Sequence, residues 1–447
     1  MTDSDPSKNL FSPEGGITHE LVLPCLLFMA LGGMTWAVRG CSGYGGEAGC
    51  AFAGIAWATA WYYLARSGRR DQTRRYSLGW IVPLMTLGVA VSGFRGWMQW
   101  PSWHRGQLFT NYSTNSFVPI NPAYGMLWLF IAGVPWAGLG AVGLAWCGSE
   151  RPLSWKDWII RLVFGFGAGW LGVFLFDKYP AVFLPLYDQV NYKDLVANPS
   201  LRRIINDNWN ATLHICIYSG FLLYEIVRKD WRNVRLILIV GFVNGIGWAL
   251  LRNWYWAANL WPEGRFNWWR CWESSGGISI GFAYGLAYYF CNRPLSDADM
   301  KKWVRHRAAY PNAERLAVYF GLVFFLAYAI KNGMKGWANI YIGNEDYWDN
   351  IFFYAMGIPA ILLFCWLVYR NRRNPLPTDY EGDTVPHYGA LMWTTLIILN
   401  VLAQLITGKH SNWPEVAFAI YYLLLFAITA VIIYYYGVVK KLTSRTP

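Results

Sequence analysis

Charged residues stand at the ends of apolar runs, where charge is costly: Arg39, Arg95, Arg252 and Lys331 close four runs, while Glu47 and Glu273 open two others. A charge at bilayer depth costs from about 2.5 kcal/mol upward, so each is a site hypothesis by default. Four cations around one axis would attract an anion, and Arg270 beside Glu273 adds another. Two chemistries are open to the carboxylates: bridging the arginines, or taking the protons that couple solute movement to a gradient. Plainer roles compete with these, because basic side chains snorkel to headgroups and acids favour the positive end of a helix dipole. Gly-rich stretches, 40–49 and 274–281, adjoin both carboxylates and let backbone approach a ligand closely.

A second set is aromatic. Trp254, Trp256, Trp269 and Trp272 crowd one connection, mixed with Asn, Gly and Tyr. They form either an interfacial belt, with ring bodies in lipid and indole N–H groups wet, or a stacking platform for a sugar or other flat ligand. Polar residues inside apolar runs include His214, Asn244, Asn400 and Gln404. The last two, four apart on one helix face, either line a cavity or hydrogen-bond a neighbouring helix, the packing role being the plainer. Arg161 has Asp157 four residues before it as an expected ion-pair partner. No CxxC pair, HExxH, nucleophile elbow or GxxxxGK[ST] loop is present, so no metal, no cofactor and no ATP motor are expected. The cysteines read as small apolar packers.

The elements that must position these residues are membrane helices. Apolar types make up 55% of the 447 residues and charged types 14%, against about a quarter charged in soluble domains. Apolar windows long enough to span recur near 20–39, 46–65, 77–97, 124–147, 157–177, 209–228, 233–252, 275–291, 314–332, 350–369, 388–406 and 415–437. The fold class expected is therefore all-α, a polytopic bundle of about twelve transmembrane helices. Residues 1–16 lack a basic stretch followed by an apolar core, so the first span is expected to act as its own insertion signal. Basic residues gather in the even-numbered connections, including Arg66, Arg69, Arg70, Arg74 and Arg75, and in the tail at Lys440, Lys441 and Arg445. By the positive-inside rule both termini are cytoplasmic, and a bacterial inner membrane is the expected location. The +12 net charge is then an orientation signal and does not suggest nucleic acid. The segment 188–208 is expected to hold a short amphipathic helix on the outer surface.

An internal repeat is visible. Placing residue 47 over 273 aligns Glu47 with Glu273 and Tyr62-Tyr63 with Tyr288-Tyr289; upstream, Trp36-Ala37-Val38-Arg39 matches Trp248-Ala249-Leu250-Leu251-Arg252 with one insertion. Gly133-Val134-Pro135 pairs with Gly357-Ile358-Pro359, and Phe94-Arg95-Gly96-Trp97 with Lys331-Asn332-Gly333. Six spans separate the copies, which makes them parallel halves, 20–230 and 231–437, flanked by tails 1–19 and 438–447, with a cavity expected on their common axis. This layout resembles the major facilitator superfamily, whose basic motif after the second span is partly kept in Ala65-Arg66-Ser67-Gly68-Arg69-Arg70; the motif's Asp is Ala65 here and its leading Gly is Trp61. The resemblance implies a secondary transporter.

Three functions follow as expectations. The first is transport of a polar or anionic organic solute, sugar-like in one form, with the lipid bilayer and that small molecule as partners. The second is a membrane-embedded transferase acting on a glycan or lipid headgroup, with Glu47 or Glu273 as general base. The third is an accessory membrane subunit that docks a protein partner through its aromatic outer surface.

Overall fold

The computed structural model describes residues 16–41, 46–66, 74–93, 99–149, 154–251, 268–296, 298–299, 311–325, 327, 351–373 and 413–436. Among these the chain is all-α apart from one hairpin. The helices are α1 (Leu23–Cys41, entered through a π-helical turn Thr18–Val22), α2 (Gly46–Arg66), α3 (Ile81–Ser92) and the short α4 (Trp100–His104). The hairpin β1 (Gln107–Asn111) and β2 (Ser116–Pro119) follows, then α5 (Pro122–Cys147), α6 (Trp155–Lys178), the one-turn α7 (Pro180–Phe183), α8 (Leu201–Val227) and α9 (Trp231–Leu251). After them come α10 (Trp268–Cys291), α11 (Pro311–Phe320), α12 (Ile358–Arg373) and α13 (Trp413–Tyr434).

Among the described residues, six helical stretches are long and apolar enough to cross a membrane by length and composition: Thr18–Trp36, Pro122–Cys147, Trp155–Lys178, Trp231–Leu251, Phe353–Arg373 and Val416–Tyr434. Helices also lie in the other expected windows, over only part of 77–97 and 314–332, except 388–406, which lies outside the described residues. Local signals set the helix starts. Asn121 caps α5 by accepting from the Ala123 N–H at 2.9 Å, with Pro122 in the first turn, where a missing N–H costs nothing. Ser154 and Asp157 form a reciprocal capping box on α6. The outward face of α6 carries exposed Trp155, Val163, Phe166 and Trp170. A large apolar surface of this kind belongs in hydrocarbon.

Six helices close a ring in the order α1, α2, α3, α5, α9, α10 and back to α1, with α6 and α8 outside on the α5–α9 side and α13 against α1. Glycines permit the tightest crossing. Along α10, Gly277, Gly281 and Gly285 meet Gly32, Phe28 and Cys25 of α1 in antiparallel order, and a Cβ on Gly277 would fall inside the Gly32 carbonyl. This is the small-residue packing of membrane helices, in which close backbones supply the van der Waals contact that lipid offers no hydrophobic drive to create. Within the same ring α2 and α9 barely touch, so the α1–α10 seam has no equal counterpart across the ring.

The centre of the ring, where the two-half layout leads one to expect a cavity, is filled. Trp36, Trp57, Trp136, Trp248, Trp272 and Tyr284, contributed by α1, α2, α5, α9 and α10, are all fully buried there. Trp36 and Trp248, which the internal repeat pairs, lie edge to face with ring centroids 6.1 Å apart.

Two expectations are corrected here. Residues 188–200 form turns and α8 runs unbroken from Leu201 to Val227. No separate surface helix forms, because Leu201 and Ile204 are buried and draw the first turns of α8 into the core. The eighth helix starts at Trp268 and not near 275. Gly277→Leu is expected to drive α1 and α10 apart and to destabilise the fold by at least the ~1–3 kcal/mol typical of overpacking, read as a lower thermal midpoint in detergent, whereas Gly167→Ala, facing open space, should leave it unchanged.

Candidate functional site

The first three turns of α10 bring chemistry to the ring. Trp272 packs edge to face on Trp248 at 4.9 Å, and Trp248 on Trp136 at 4.2 Å. Glu273, the next residue, is buried to 2% exposure. The Arg270 guanidinium lies 5.3 Å over the Phe418 ring of α13, within cation–π range. Ser274 Oγ donates to the Gly33 carbonyl at 3.0 Å and shares a 2.8 Å hydrogen bond with the Tyr421 hydroxyl. Between α10 and α13 lies a cavity of about 280 Å³, lined by Cys271, Ser274, Ser275, Ile278, Ala417, Phe418 and Tyr421; Arg270 and Glu273 are not among its lining residues. That size lies just below the ~300–1,000 Å³ range of drug-sized ligand pockets and suits a small solute. The Trp248 indole N–H finds no acceptor among the described residues.

Of the residues expected at the site, Arg270, Trp272 and Glu273 lie in the first turns of α10. Trp272 is not part of a wet belt or platform: with α10 starting at Trp268, it stands one turn inside the helix and points into the ring. Trp100 and Trp103, in the connection between α3 and α5, are fully buried, with Trp100 donating to Asn208 Oδ1 at 2.8 Å. Arg39 lies in α1 and Glu47 in α2, but their side chains lie outside the described residues, as does that of Trp269 in α10. Arg95, Arg252, Trp254, Trp256, Lys331, Asn400 and Gln404 lie outside the described residues altogether.

The opposite end of the ring carries a second polar constellation. Arg74 makes a two-pronged pair with Glu20, at 2.9 and 2.6 Å, and donates to the Asn292 carbonyl at 2.6 Å. Arg75 contacts both Asp230 oxygens at 2.8 and 2.9 Å and donates to the Gly148 carbonyl. Arg161 pairs with Glu225 at 2.6 Å inside a cage of Trp146, Trp158 and Tyr224 rings. Asn233 ties these together, donating to Glu225 at 3.0 Å and accepting the Tyr76 hydroxyl at 2.7 Å. Burial pushes the Tyr76 phenol well above its usual range, which keeps it a donor. Asn292 closes the network through the Tyr76 backbone.

Arg161 thus takes Glu225 and not Asp157, whose carboxylate is engaged by Ser154 and lies 3.5 Å from Arg228. Arg74 and Arg75, expected as loop charges that set orientation, are each 2% exposed and neutralised by carboxylates. Glu225, standing at the end of the apolar run Phe221–Val227, was the sequence signal for this network.

A continuous file of rings joins the two ends. It runs from Trp272 through Trp248, Trp36, Trp57, Tyr284, Phe28 and Tyr288, each within 6.5 Å of the next, to Arg74, which lies 5.3 Å from the Tyr288 ring.

No protein-family model, no curated protein and no solved structure matches the chain. Functional inference therefore rests on its own geometry.

Removing one partner of a buried pair typically costs about 3–5 kcal/mol, while an apolar replacement of both is often neutral. Asp230→Ala is accordingly expected to unfold the protein at markedly lower temperature than wild type, and Arg75→Met combined with Asp230→Leu to recover most of the loss, as measured by thermal unfolding of the purified chain.

Proposed function

We propose that the chain is a secondary transporter for a small polar or anionic organic solute, built of twelve spans in two parallel halves, a layout that resembles the major facilitator superfamily. The reading is carried by one observation: a carboxylate, Glu273, is buried in the first turns of α10 at one end of a helix ring whose axis is closed by aromatic rings, while other residues of the same turns border a small, largely apolar cavity that carries serine and tyrosine hydroxyls. An ionisable group in a membrane helix is a functional hypothesis in its own right, since its burial costs stability that packing alone would not require.

In this reading the solute enters between α10 and α13, where the guanidinium and the serine and tyrosine hydroxyls offer donors and Phe418 offers a stacking face. The ring file is the barrier, and the hydrogen-bonded network at the far end is the closed inner gate. Two contacts of that gate, Arg74 to Asn292 and Tyr76 to Asn233, join the first half of the chain to the second. A relative movement of the halves must break them together. The basic connections make the gate end cytoplasmic, with both termini on that side, and Glu273 is the proton carrier that couples solute to gradient.

Proteoliposomes tested with labelled hexuronates under an inward proton or sodium gradient are expected to show substrate-dependent uptake. Glu273→Gln should reduce the gradient-driven rate by about tenfold or more, corresponding to ~1.4 kcal/mol in barrier. Absence of uptake across acidic and neutral sugars under both gradients would sink the proposal. Conversion of an isolated headgroup analogue by the detergent-solubilised protein, where no gradient exists, would favour a transferase in its place.

A further inference from the structure

A second, larger cavity lies outside the ring and away from the solute site. It measures about 660 Å³ and is bounded by the start of α5, the middle of α8 and the segment that follows α6. Its floor is apolar, with Ile131, Leu184, Ile215 and Cys216, and its rim is polar or amphipathic, with Tyr124, Tyr187, Asp188 and Gln189. The neighbouring wall residues Leu127 and Val182 are exposed, Val182 to 77%. Exposed aliphatic side chains at the mouth of a cavity in a membrane protein face acyl chains. The apolar helix α6 ends at Lys178 and α5 begins at Pro122, so the cavity straddles the level at which hydrocarbon gives way to headgroups.

The lip of this cavity is held rigidly. Leu186 adopts a left-handed backbone with φ 54°, a conformation that a branched aliphatic residue rarely takes unless its surroundings impose it. Its carbonyl accepts from the backbone N–H groups of Gln189 and Val190, both at 2.9 Å. The Tyr192 hydroxyl donates to the Pro185 carbonyl at 2.8 Å, and the Tyr192 ring stacks on Tyr187 at 5.8 Å. The turn thereby presents Tyr187, Asp188 and Gln189 together at the rim, above an apolar slot.

We propose that this cavity is a binding site for one phospholipid with an ammonium headgroup, its acyl chain lying along Ile131, Ile215 and Cys216 and its ammonium donating to Asp188 and Gln189. Charge decides the headgroup class: among the described residues that line the cavity, the one carrying a charge at neutral pH is a carboxylate, Asp188, which attracts a cation and repels an anionic headgroup.

The full chain, exchanged in mixed micelles containing equal phosphatidylethanolamine and phosphatidylglycerol of matched chains, tests this by native mass spectrometry. Wild type is expected to retain one lipid and to favour the ethanolamine form several-fold. Asp188→Asn should equalise the two, and Ile215→Trp, which fills the slot, should abolish retention. Because Ile215→Trp can also perturb folding, wild type is additionally photolabelled with a phosphatidylethanolamine carrying a diazirine in its acyl chain. Labelling of Leu127, Ile215 or Cys216 peptides is the expected result. No retained lipid, a headgroup preference unchanged by Asp188→Asn, or labelling confined to the outward face of α6 would each overturn the site. Uptake assays read the α10–α13 cavity separately, so either proposal can fail alone.

Discussion

Three guanidinium groups buried at one end of the helix ring govern how this chain folds. A charge removed from water is tolerated only when a counter-charge and further hydrogen bonds replace its hydration. Arg74, Arg75 and Arg161 meet that demand with Glu20, Asp230 and Glu225, and the carboxylates come from α1, the α8–α9 turn and α8. Asn233 and Asn292 satisfy the oxygens and backbone groups left over. Segments far apart in sequence are therefore fixed in one register, and the glycine seam between α1 and α10 is set by the same alignment, since Glu20 precedes one helix and Asn292 follows the other.

From this end the rest of the ring follows as packing. Once glycines bring α1 and α10 into backbone contact, the remaining interior is too wide for aliphatic side chains alone, and indole and phenol rings occupy it from Trp272 to Tyr288. The polar chemistry is displaced to the two ends. One end carries three ion pairs, all formed within residues 20–230; the other carries a buried carboxylate, a guanidinium and hydroxyls. Pairing of this kind is what lets so much charge be buried in a chain so poor in charge.

Apolar run length made the helices legible, because spanning a bilayer leaves a signal of some twenty residues that no other constraint imitates. The hairpin at Gln107–Pro119 left no such mark: its five- and four-residue strands are too short to show a period, and its turns depend on Gly106 and Asn115 at positive φ. Side-chain partners were less legible than elements. Asp157 sits at the helical spacing that favours a pair with Arg161, yet the capping box claims it, while the true partner lies 64 residues away. Trp272 was read as belonging to an outer loop because the polar residues around it hid the first two turns of α10. Glu273 and Arg270 were conspicuous in the sequence because a charge beside an apolar run stands out whatever its partner.

The edge-to-face indoles also have an optical consequence. Trp136 and Trp248 lie 4.2 Å apart at nearly a right angle, locked in an anhydrous, chiral setting with Trp36 and Trp272 alongside. Transition dipoles held that close and that rigidly couple, so the protein carries its own near-ultraviolet dichroic reporter at the centre of the ring. Any motion that opens a path along the axis must separate these rings, and the molecule would announce it without a label.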